Sequence, residues 1–272
     1  YTIDPKTEQI NYDQVEELAR THKPKFIIAG FSSYPWTVDW EKFRAIATSL
    51  GAYLMADIAH VAGLVVGGAY PSPVGYADII TFTTHKSLCG PRGACILTTD
   101  PALARKIDRA VFPGEQGGPH VQVFGAIALA FKLAQTDQFR QLQAQIVKNC
   151  ATFTERLREH GFSIPYGGTN THLMNLDCRS VRGVGGVSLN GEQAGRILDI
   201  AGIVVNRNTI PGDKSSLDPS GIRMGSPWVT QRGFKEGEMI ELADIISDLL
   251  KATTPFDQES RKGFDRKARV DF

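Results

Sequence analysis

The sequence predicts an α/β protein: a large domain built on a mostly parallel sheet, followed by a smaller α+β domain. In the first half, short apolar runs alternate with amphipathic helical segments across short connections, a pattern typical of parallel sheets. After Gly161 the pattern changes to strands joined by a glycine turn, and helices follow. We therefore expect a large domain over residues 1–147, a small domain over 148–255 and a charged tail over 256–272.

Each element of the large domain has its own sequence signal. Helical spacing of apolar residues predicts two amphipathic helices, the second ended by Gly51: "NYDQVEELARTHKP" and "DWEKFRAIATSLGA". Three apolar runs predict strands, the first of them buried: "KFIIAGFSSY", the start of "YLMADIAHVAGLV", and "ADIITFTTHK". Beyond the glycine-rich "VFPGEQGGP", one long helix is expected from about Val121 to His160.

The small domain is predicted in the same way. "FSIPYGGTNTHLMNLDCRS" indicates strand, glycine turn and strand, and "IVVNRNTI" indicates a further strand. Two apolar-striped segments indicate helices, "NGEQAGRILDIAG" and "EGEMIELADIISDLL". The tail has no apolar stripe, so we expect it to be a loose helix or extended.

Composition excludes several function classes. The 272 residues contain 30 basic and 29 acidic side chains, a balance that gives no reason to expect a nucleic-acid or membrane partner. No apolar run approaches the roughly 20 residues that span a bilayer. The four cysteines are scattered, without metal-ligand spacing, which predicts no metal site and a reducing, cytoplasmic setting. The chain begins at Tyr1 without a methionine, so we expect a fragment.

Three polar residues follow predicted strands: Ser32, Asp57 and Lys86. Ligands of doubly wound sheets bind beyond the carboxyl ends of the strands, so these side chains form a site hypothesis. Asp57 lies in an apolar context and needs a partner; it is either a helix N-cap or the partner of a protonated cofactor ring nitrogen. Lys86 is either a surface lysine or an imine-forming amine. An acid and a lysine are the two groups that pyridoxal phosphate requires.

Several motifs in this sequence resemble serine hydroxymethyltransferase, a pyridoxal-phosphate enzyme of the aspartate-aminotransferase-like fold. The first two are "ADIAHVAGLVVGGAYPSP" and "ADIITFTTHKSLCGPRGA". The resemblance continues through "FPGEQGGPH", "GGTNTHLMNLD" and "GIRMGSP", in family order and up to about Leu250. It implies a large domain like that of the pyridoxal-phosphate transferases and a smaller C-terminal domain. Phe82, where the family usually has threonine, and Ala94, where glycine is common, depart from the pattern.

The resemblance assigns the cofactor contacts. Lys86 corresponds to the lysine that binds pyridoxal phosphate covalently, and Asp57 to the acid that keeps the pyridine ring protonated. His60 and Ser32 correspond to residues near the phenolic oxygen of the cofactor. Taken alone, a histidine such as His60 is more often a structural residue.

The same resemblance assigns the pocket and the substrate contacts. Thr83 and His85 correspond to residues that shape the pocket near the phosphate and the lysine. Arg92 corresponds to an arginine that orders the lysine region. Arg223 corresponds to the clamp for the substrate α-carboxylate, a group that a guanidinium binds in bidentate fashion; by itself it could also be a surface charge.

Gly117 and Gly118 correspond to a family loop that crosses the subunit interface toward the partner's cofactor phosphate. The alternative is a plain turn. The resemblance therefore implies a homodimer or homotetramer.

The implied reaction moves the hydroxymethyl group of serine to the co-substrate tetrahydrofolate, giving glycine and methylenetetrahydrofolate. Two alternatives remain open. One is a related pyridoxal-phosphate aldolase of the threonine or methylserine type, and the other is a non-catalytic truncated partner of a full-length copy. The family's N-terminal portion, which stacks on the cofactor and handles folate, has no counterpart here, so the isolated chain is expected to be inactive.

Overall fold

The computed structural model describes residues 1–260 and 263–270. The described chain divides into two compact units. Unit 1 consists of Tyr1–Ile3, Ile10–Ser32 and Thr37–Ala144. Unit 2 consists of Asp4–Gln9, Ser33–Trp36 and the described part of Gln145–Phe272. The predicted domain boundaries at residues 148 and 256 stay predictions.

Unit 1 is built on a four-stranded sheet in the order β1-β2-β3-β4. Its strands are β1 (Phe26–Ala29), β2 (Tyr53–Asp57), β3 (Ile79–Thr83) and β4 (Ala94–Leu97). The first three strands are parallel, and β4 runs antiparallel to β3. The predicted α/β class with a mostly parallel sheet is confirmed. The sequence reading missed β4, which is only four residues long and returns directly after the Gly-Pro-Arg-Gly turn.

The helices of unit 1 are α1 (Tyr12–His22), α2 (Trp40–Leu50), α3 (Ala62–Val66), α4 (Pro101–Arg109), α5 (Val121–Ala134) and the first part of α6 (Asp137–Glu159). Three of them, namely α1, α2 and α4, begin after a residue whose side chain caps the helix. Asp39 accepts a hydrogen bond from the Lys42 N–H and caps α2, and Asp100 caps α4, as expected of short acidic side chains. Gly51 ends α2 in the left-handed conformation, where glycine pays no steric cost.

Helices cover one face of this sheet and part of the other, where Ile107 of α4 and Ile79 line the same groove. On the covered face, Ile27 and Leu54 are buried, and so is Phe43 of α2. On the opposite face, which we call the uncovered face although α4 reaches part of it, Phe26, Ile28 and Tyr53 remain 41–56% exposed. β1 is therefore half-buried, and the prediction that this strand is buried is wrong. An apolar run of four residues does not by itself distinguish one covered face from two.

The predicted long helix is two helices. α5 ends at Ala134, and α6 begins at Asp137. At the junction, the Thr136 hydroxyl accepts a hydrogen bond from the Phe139 N–H at 3.3 Å, and this local capping competes with continued helix. The surface of α5 is unusually apolar: Val121, Phe124, Leu129 and Leu133 are all more than half exposed.

Unit 2 contains an antiparallel sheet in the order β5-β7-β6. Its elements, after the second part of α6, are β5 (Leu173–Asp177), α7 (Gly191–Ile200), β6 (Asn206–Asn208), β7 (Gly221–Gly225), α8 (Pro227–Gln231), α9 (Glu236–Lys251), β8 (Thr253–Ser260) and β9 (Gly263–Val270). Strand residues such as Leu176 and Ile222 form a core with Leu198 of α7 and Ile246 of α9.

One sequence expectation for unit 2 needs correction, and for a second the structure decides between two alternatives. The first strand expected in "FSIPYGGTNTHLMNLDCRS" is reduced to an isolated bridge between Ser163 and Asp177, because the chain turns in the following segment, Pro165–Gly167, where Tyr166 has a φ of +65°. The described part of the tail is extended, one of the two predicted alternatives, and not helical. It forms the hairpin β8–β9, in which Thr253 pairs with Val270.

Over the described ranges, none of the helices has the length and apolarity needed to cross a membrane. Within the same ranges, His, Cys, Asp and Glu side chains form no group that could hold a metal ion. All four cysteines are free thiols.

Candidate active site

The carboxyl edge of the unit 1 sheet brings the predicted cofactor residues together. Asp57 is the last residue of β2, and Thr83 is the last residue of β3. The two strands are parallel neighbours, with Asp57 opposite Thr81, so their carboxyl ends meet at one edge. Lys86 lies in the bend after β3, and Ser32 lies just beyond β1 at the same edge. This placement is the one that ligand sites of open α/β sheets use.

Asp57 organises the turn that follows β2. Its Oδ1 atom accepts a hydrogen bond from the Ala59 N–H at 3.0 Å. The N-cap alternative for Asp57 is wrong, because α3 begins only at Ala62 and is preceded by Val61 without a side-chain cap. Among the described residues, no lysine, arginine or histidine forms an ion pair with Asp57. Asp57 is also half-buried. Its carboxylate thus has no cationic partner among the described residues.

Lys86 stands on a turn that Thr84 holds in shape. The Thr84 hydroxyl donates to the Pro91 carbonyl at 2.6 Å, and the Gly90 N–H donates to the Thr84 carbonyl at 2.8 Å. Thr84 itself is fully buried. The side chain of Lys86 is exposed, and in the described chain no acidic group pairs with it. The exposed Lys86 amine therefore extends from a turn that is held by hydrogen bonds.

His85 and Thr83 flank this lysine with different roles. The Nδ1 atom of His85 is buried and has no hydrogen-bond partner among the described residues. A buried polar atom without a partner is costly in a folded protein, so this nitrogen is available to a polar group of a ligand. The Thr83 hydroxyl instead donates to the Ala59 carbonyl at 3.2 Å, so it joins the end of β3 to the turn that carries Asp57 and His60.

The remaining predicted residues of unit 1 lie at the surface. Ser32, Arg92, Gly117 and Gly118 are all exposed. The turn around Arg92 is held by Thr84, so the ordering role assigned to Arg92 stays a prediction. Gly118 has a φ of +59°, which favours glycine.

Arg223 lies in unit 2, on β7, and is described here by itself. It is paired across the sheet with Asn175 on one side and Asn206 on the other. Its Nη2 atom donates to the Asn206 Oδ1 atom at 3.0 Å. Burial lowers the pKa of the Arg223 guanidinium, because desolvation disfavours the charged form. A half-buried, oriented guanidinium of this kind can take up a carboxylate.

The residues at the sheet edge fit pyridoxal phosphate. As far as the described residues show, the edge offers a carboxylate without a protein cation (Asp57), an amine without a protein acid (Lys86) and a buried imidazole nitrogen without a partner (His85). These suit, in turn, a protonated ring nitrogen, an aldehyde and a polar substituent. The fit therefore depends on groups whose charge or hydrogen-bonding capacity is not satisfied by other described residues.

Sequence reasoning missed two residues that support this edge, Ser87 and Gln143. Both are buried polar side chains, and Gln143 donates to the Ser87 carbonyl at 3.1 Å. In the sequence, the one indication of this support was Gln143, a glutamine at a core-facing position of a predicted helix. A single such residue is common in surface helices, so the signal is weak.

Comparison with known proteins agrees with this geometry. The family model described as serine hydroxymethyltransferase matches residues 1–246. A serine hydroxymethyltransferase of Psychrobacter sp. (strain PRwf-1) is 49% identical over 251 residues, which cover 92% of this chain and 59% of that protein. The enzyme of the same name from Rippkaea orientalis is 46% identical and is covered to 58%. The chain thus spans less than two thirds of these curated relatives. On the match over most of its length, the chain belongs to the serine hydroxymethyltransferase family.

Proposed function

We propose that this chain is the part of a serine hydroxymethyltransferase that anchors the cofactor and binds the substrate carboxylate. The whole protein would transfer the hydroxymethyl group of serine to tetrahydrofolate, giving glycine and methylenetetrahydrofolate. One observation carries the proposal. Two adjacent parallel strands end in Asp57 and in the turn of Lys86, and neither side chain has an opposite charge beside it in the described protein.

Asp57 and Lys86 divide the work on the cofactor. Pyridoxal phosphate, when bound, supplies an electron sink for the bond to the serine side-chain carbon. Asp57 holds the proton on the ring nitrogen, since a carboxylate without another cation nearby favours a positive partner. Lys86 supplies the amine for covalent attachment. Its exposed amine lies on a braced turn, which limits the positions that it reaches.

Three further residues shape the site around these two. His60 follows Asp57 in the same turn and, with Ser32, would lie near the phenolic oxygen. His85 would use its buried Nδ1 atom toward a polar group of the ligand. Thr83 would act through the turn that it fixes by its bond to the Ala59 carbonyl.

Arg223 would bind the α-carboxylate of serine. Two parallel N–H···O bonds give a guanidinium both strength and direction toward a planar carboxylate. The Asn206 amide already fixes one of its nitrogens, so fewer side-chain rotations are lost when substrate binds. Partial burial makes the charge more effective, because screening by water is weaker there.

The isolated chain would not complete the reaction. It spans 58–59% of the curated relatives that it matches, and unit 1 leaves one sheet face partly uncovered. On that face, Met55, Ile79 and Ile96 line an apolar groove of about 320 Å³. Apolar surface of this kind marks an interaction site or an aggregation liability. We infer that the chain needs further polypeptide for folate-dependent turnover.

Subunit association and location follow from the family. We infer a homodimer or homotetramer in the cytoplasm, with Gly117 and Gly118 near a partner's cofactor phosphate. Backbone N–H groups without a side chain can approach an anion closely, and both glycines are exposed. Sedimentation of the cofactor-loaded protein at micromolar concentration tests this. A fully loaded monomer would remove the interface role of the loop.

The decisive experiment is covalent labelling. The protein is incubated with pyridoxal phosphate, reduced with borohydride and digested for mass spectrometry. A pyridoxyl group is expected on Lys86 and is lost in Lys86→Ala. The matched control is Lys106→Ala, which removes an exposed lysine from α4 and should leave the label in place. Labelling of a different lysine as the main product contradicts the assignment.

A second experiment separates the reaction classes. Serine cleavage by the isolated chain is measured with and without tetrahydrofolate, beside a full-length relative. We expect little turnover, because groups that act as a unit lose most of the rate when some are missing. Folate-independent cleavage of threonine or methylserine would favour an aldolase. Stimulation of a full-length copy without turnover would favour a non-catalytic partner.

A further inference from the structure

Ser87 joins the two turns that carry the candidate active-site residues. Its hydroxyl accepts a hydrogen bond from the Gly63 N–H at 2.9 Å and donates one to the His60 carbonyl at 2.9 Å. Both partners belong to the segment that follows Asp57, whereas Ser87 follows Lys86 directly. The side chain is only 4% exposed, and its bond to the Gly63 N–H is buried.

Gln143 braces the same residue from the other side. It lies on α6, is fully buried, and its Nε2 atom donates to the Ser87 carbonyl at 3.1 Å. Ser87 is thus held through its side chain by the Asp57 segment and through its backbone by a helix 56 residues farther along the chain. The bonds to Gly63 and Gln143 are buried, so breaking either one leaves a donor or an acceptor without a partner.

Steric contacts leave this junction little freedom. A Cβ atom on Gly63 would lie 2.1 Å from the Ser87 carbonyl oxygen, and one on Gly67 would lie 2.6 Å from the Gln143 Cγ atom. The Lys86 turn and the segment after Asp57 therefore touch through backbone at Gly63 and Ser87, and Gly67 packs directly against the Gln143 side chain. Backbone contacts of this closeness adjust less readily than flexible side chains do.

We propose that Ser87, braced by Gln143, is a positioning residue that sets where the Lys86 turn stands relative to Asp57 and His60. The inference rests on the proposed function, in which these residues share one cofactor. Ser87 does not need to touch the cofactor. It holds the two turns together, so that the amine and the carboxylate reach opposite ends of the same ring.

The test compares Ser87→Ala with the wild-type chain in two measurements. Hydrogen exchange, followed by mass spectrometry of peptides covering residues 58–66 and 84–91, reports the turns without cofactor. Titration with pyridoxal phosphate, followed by absorbance and by the rate of borohydride-trapped labelling, reports placement of Lys86. We expect exchange in both turns to rise on the order of tenfold, as loss of about one buried hydrogen bond allows, and the affinity and the labelling rate to fall several-fold.

Two further variants provide an independent test and a control. Gln143→Met preserves the volume of the side chain and removes the brace, so it should show the same changes to a smaller extent even if Ser87→Ala does not fold. Ser49→Ala removes a hydroxyl that bonds only to the Ile46 carbonyl in its own helix, and it should match the wild type in both measurements.

The outcomes are separable. Unchanged exchange in both turns of Ser87→Ala overturns the proposal. Faster exchange with unchanged cofactor affinity and labelling also overturns it, since Ser87 would then be merely structural. A wild-type chain that fails to bind pyridoxal phosphate counts against the proposed function, while the exchange comparison still decides whether Ser87 joins the two turns.

Discussion

Replacement of Gly30 by alanine tests how tightly β1 packs against the end of β2. A Cβ atom at Gly30 would lie 2.3 Å from the Asp57 carbonyl oxygen and 2.6 Å from the Asp57 Cβ atom. Ordinary contacts between such atoms begin near 3.4 Å, so the strand end must move by roughly 1 Å. Overpacking of this kind costs about 1–3 kcal/mol. For a protein of this size, that corresponds to a fall in melting temperature of roughly 2–12 °C.

The assay measures stability and site geometry together. Thermal unfolding gives the change in melting temperature, and hydrogen exchange of peptides from β1 and β2 locates it in unit 1. Because the clash falls on Asp57, affinity for pyridoxal phosphate should fall as well. The matched control is Gly125→Ala in α5, where no atom lies within 4 Å of the new Cβ. Alanine there should stabilise the helix by about 1 kcal/mol.

The reasoning is wrong if Gly30→Ala melts at or above the wild-type temperature with unchanged exchange in β1 and β2. Gly30 does not have a positive φ, so backbone strain does not contribute to the expected loss. The comparison with Gly125→Ala therefore isolates packing from the general effect of replacing glycine.

Three further predictions concern unit 2. Hydrogen bonds from Arg156 and, to a smaller extent, from His160 lower the pKa of Asp244 to about 2. Asp244→Asn should therefore be less stable than the wild type at pH 7. The free energies of unfolding of the two proteins, measured by urea titration, should converge as the pH falls from about 4 to 2. In a complete enzyme, Arg223→Lys should weaken serine binding about 10- to 100-fold, since a lysine lacks the guanidinium fork; equal affinity by calorimetry would exclude Arg223 from the site. Burial raises the pKa of the Cys150 thiol to about 12 and also raises that of Cys178, so a thiol reagent at pH 8 should label these two only after denaturation, and rapid labelling of the native protein would contradict their burial.

The placement of Asp57 and Lys86 was predictable because it depends on local signals and one topological rule. Two apolar runs, the second of them β-branched, indicated the strands, and the carboxyl ends of parallel neighbours must meet at the same edge. The α/β class followed from the same alternation. Membership of the family, resting on several motifs in order, was also readable from the residues.

What could not be predicted depends on contacts between distant segments. Ser87 and Gln143 form a hydrogen bond although they lie 56 residues apart. Neither a serine nor a glutamine indicates, from the sequence, which distant residue it will contact. The half-burial of β1 depends on which helices reach the sheet, a question of tertiary packing. The break at Thr136 replaced the predicted long helix because a single capping hydroxyl outweighed continued apolar spacing.

The uncovered face of the unit 1 sheet has a consequence for the life of this polypeptide in a cell. Phe26, Ile28 and Tyr53 are exposed to water on this face. Chaperones bind apolar surface of this kind, and proteases cleave chains that unfold. The abundance of a newly made chain should then depend on how soon another polypeptide surface covers that face. The half-life of the chain in a pulse–chase experiment would become a measure of assembly rather than of folding alone.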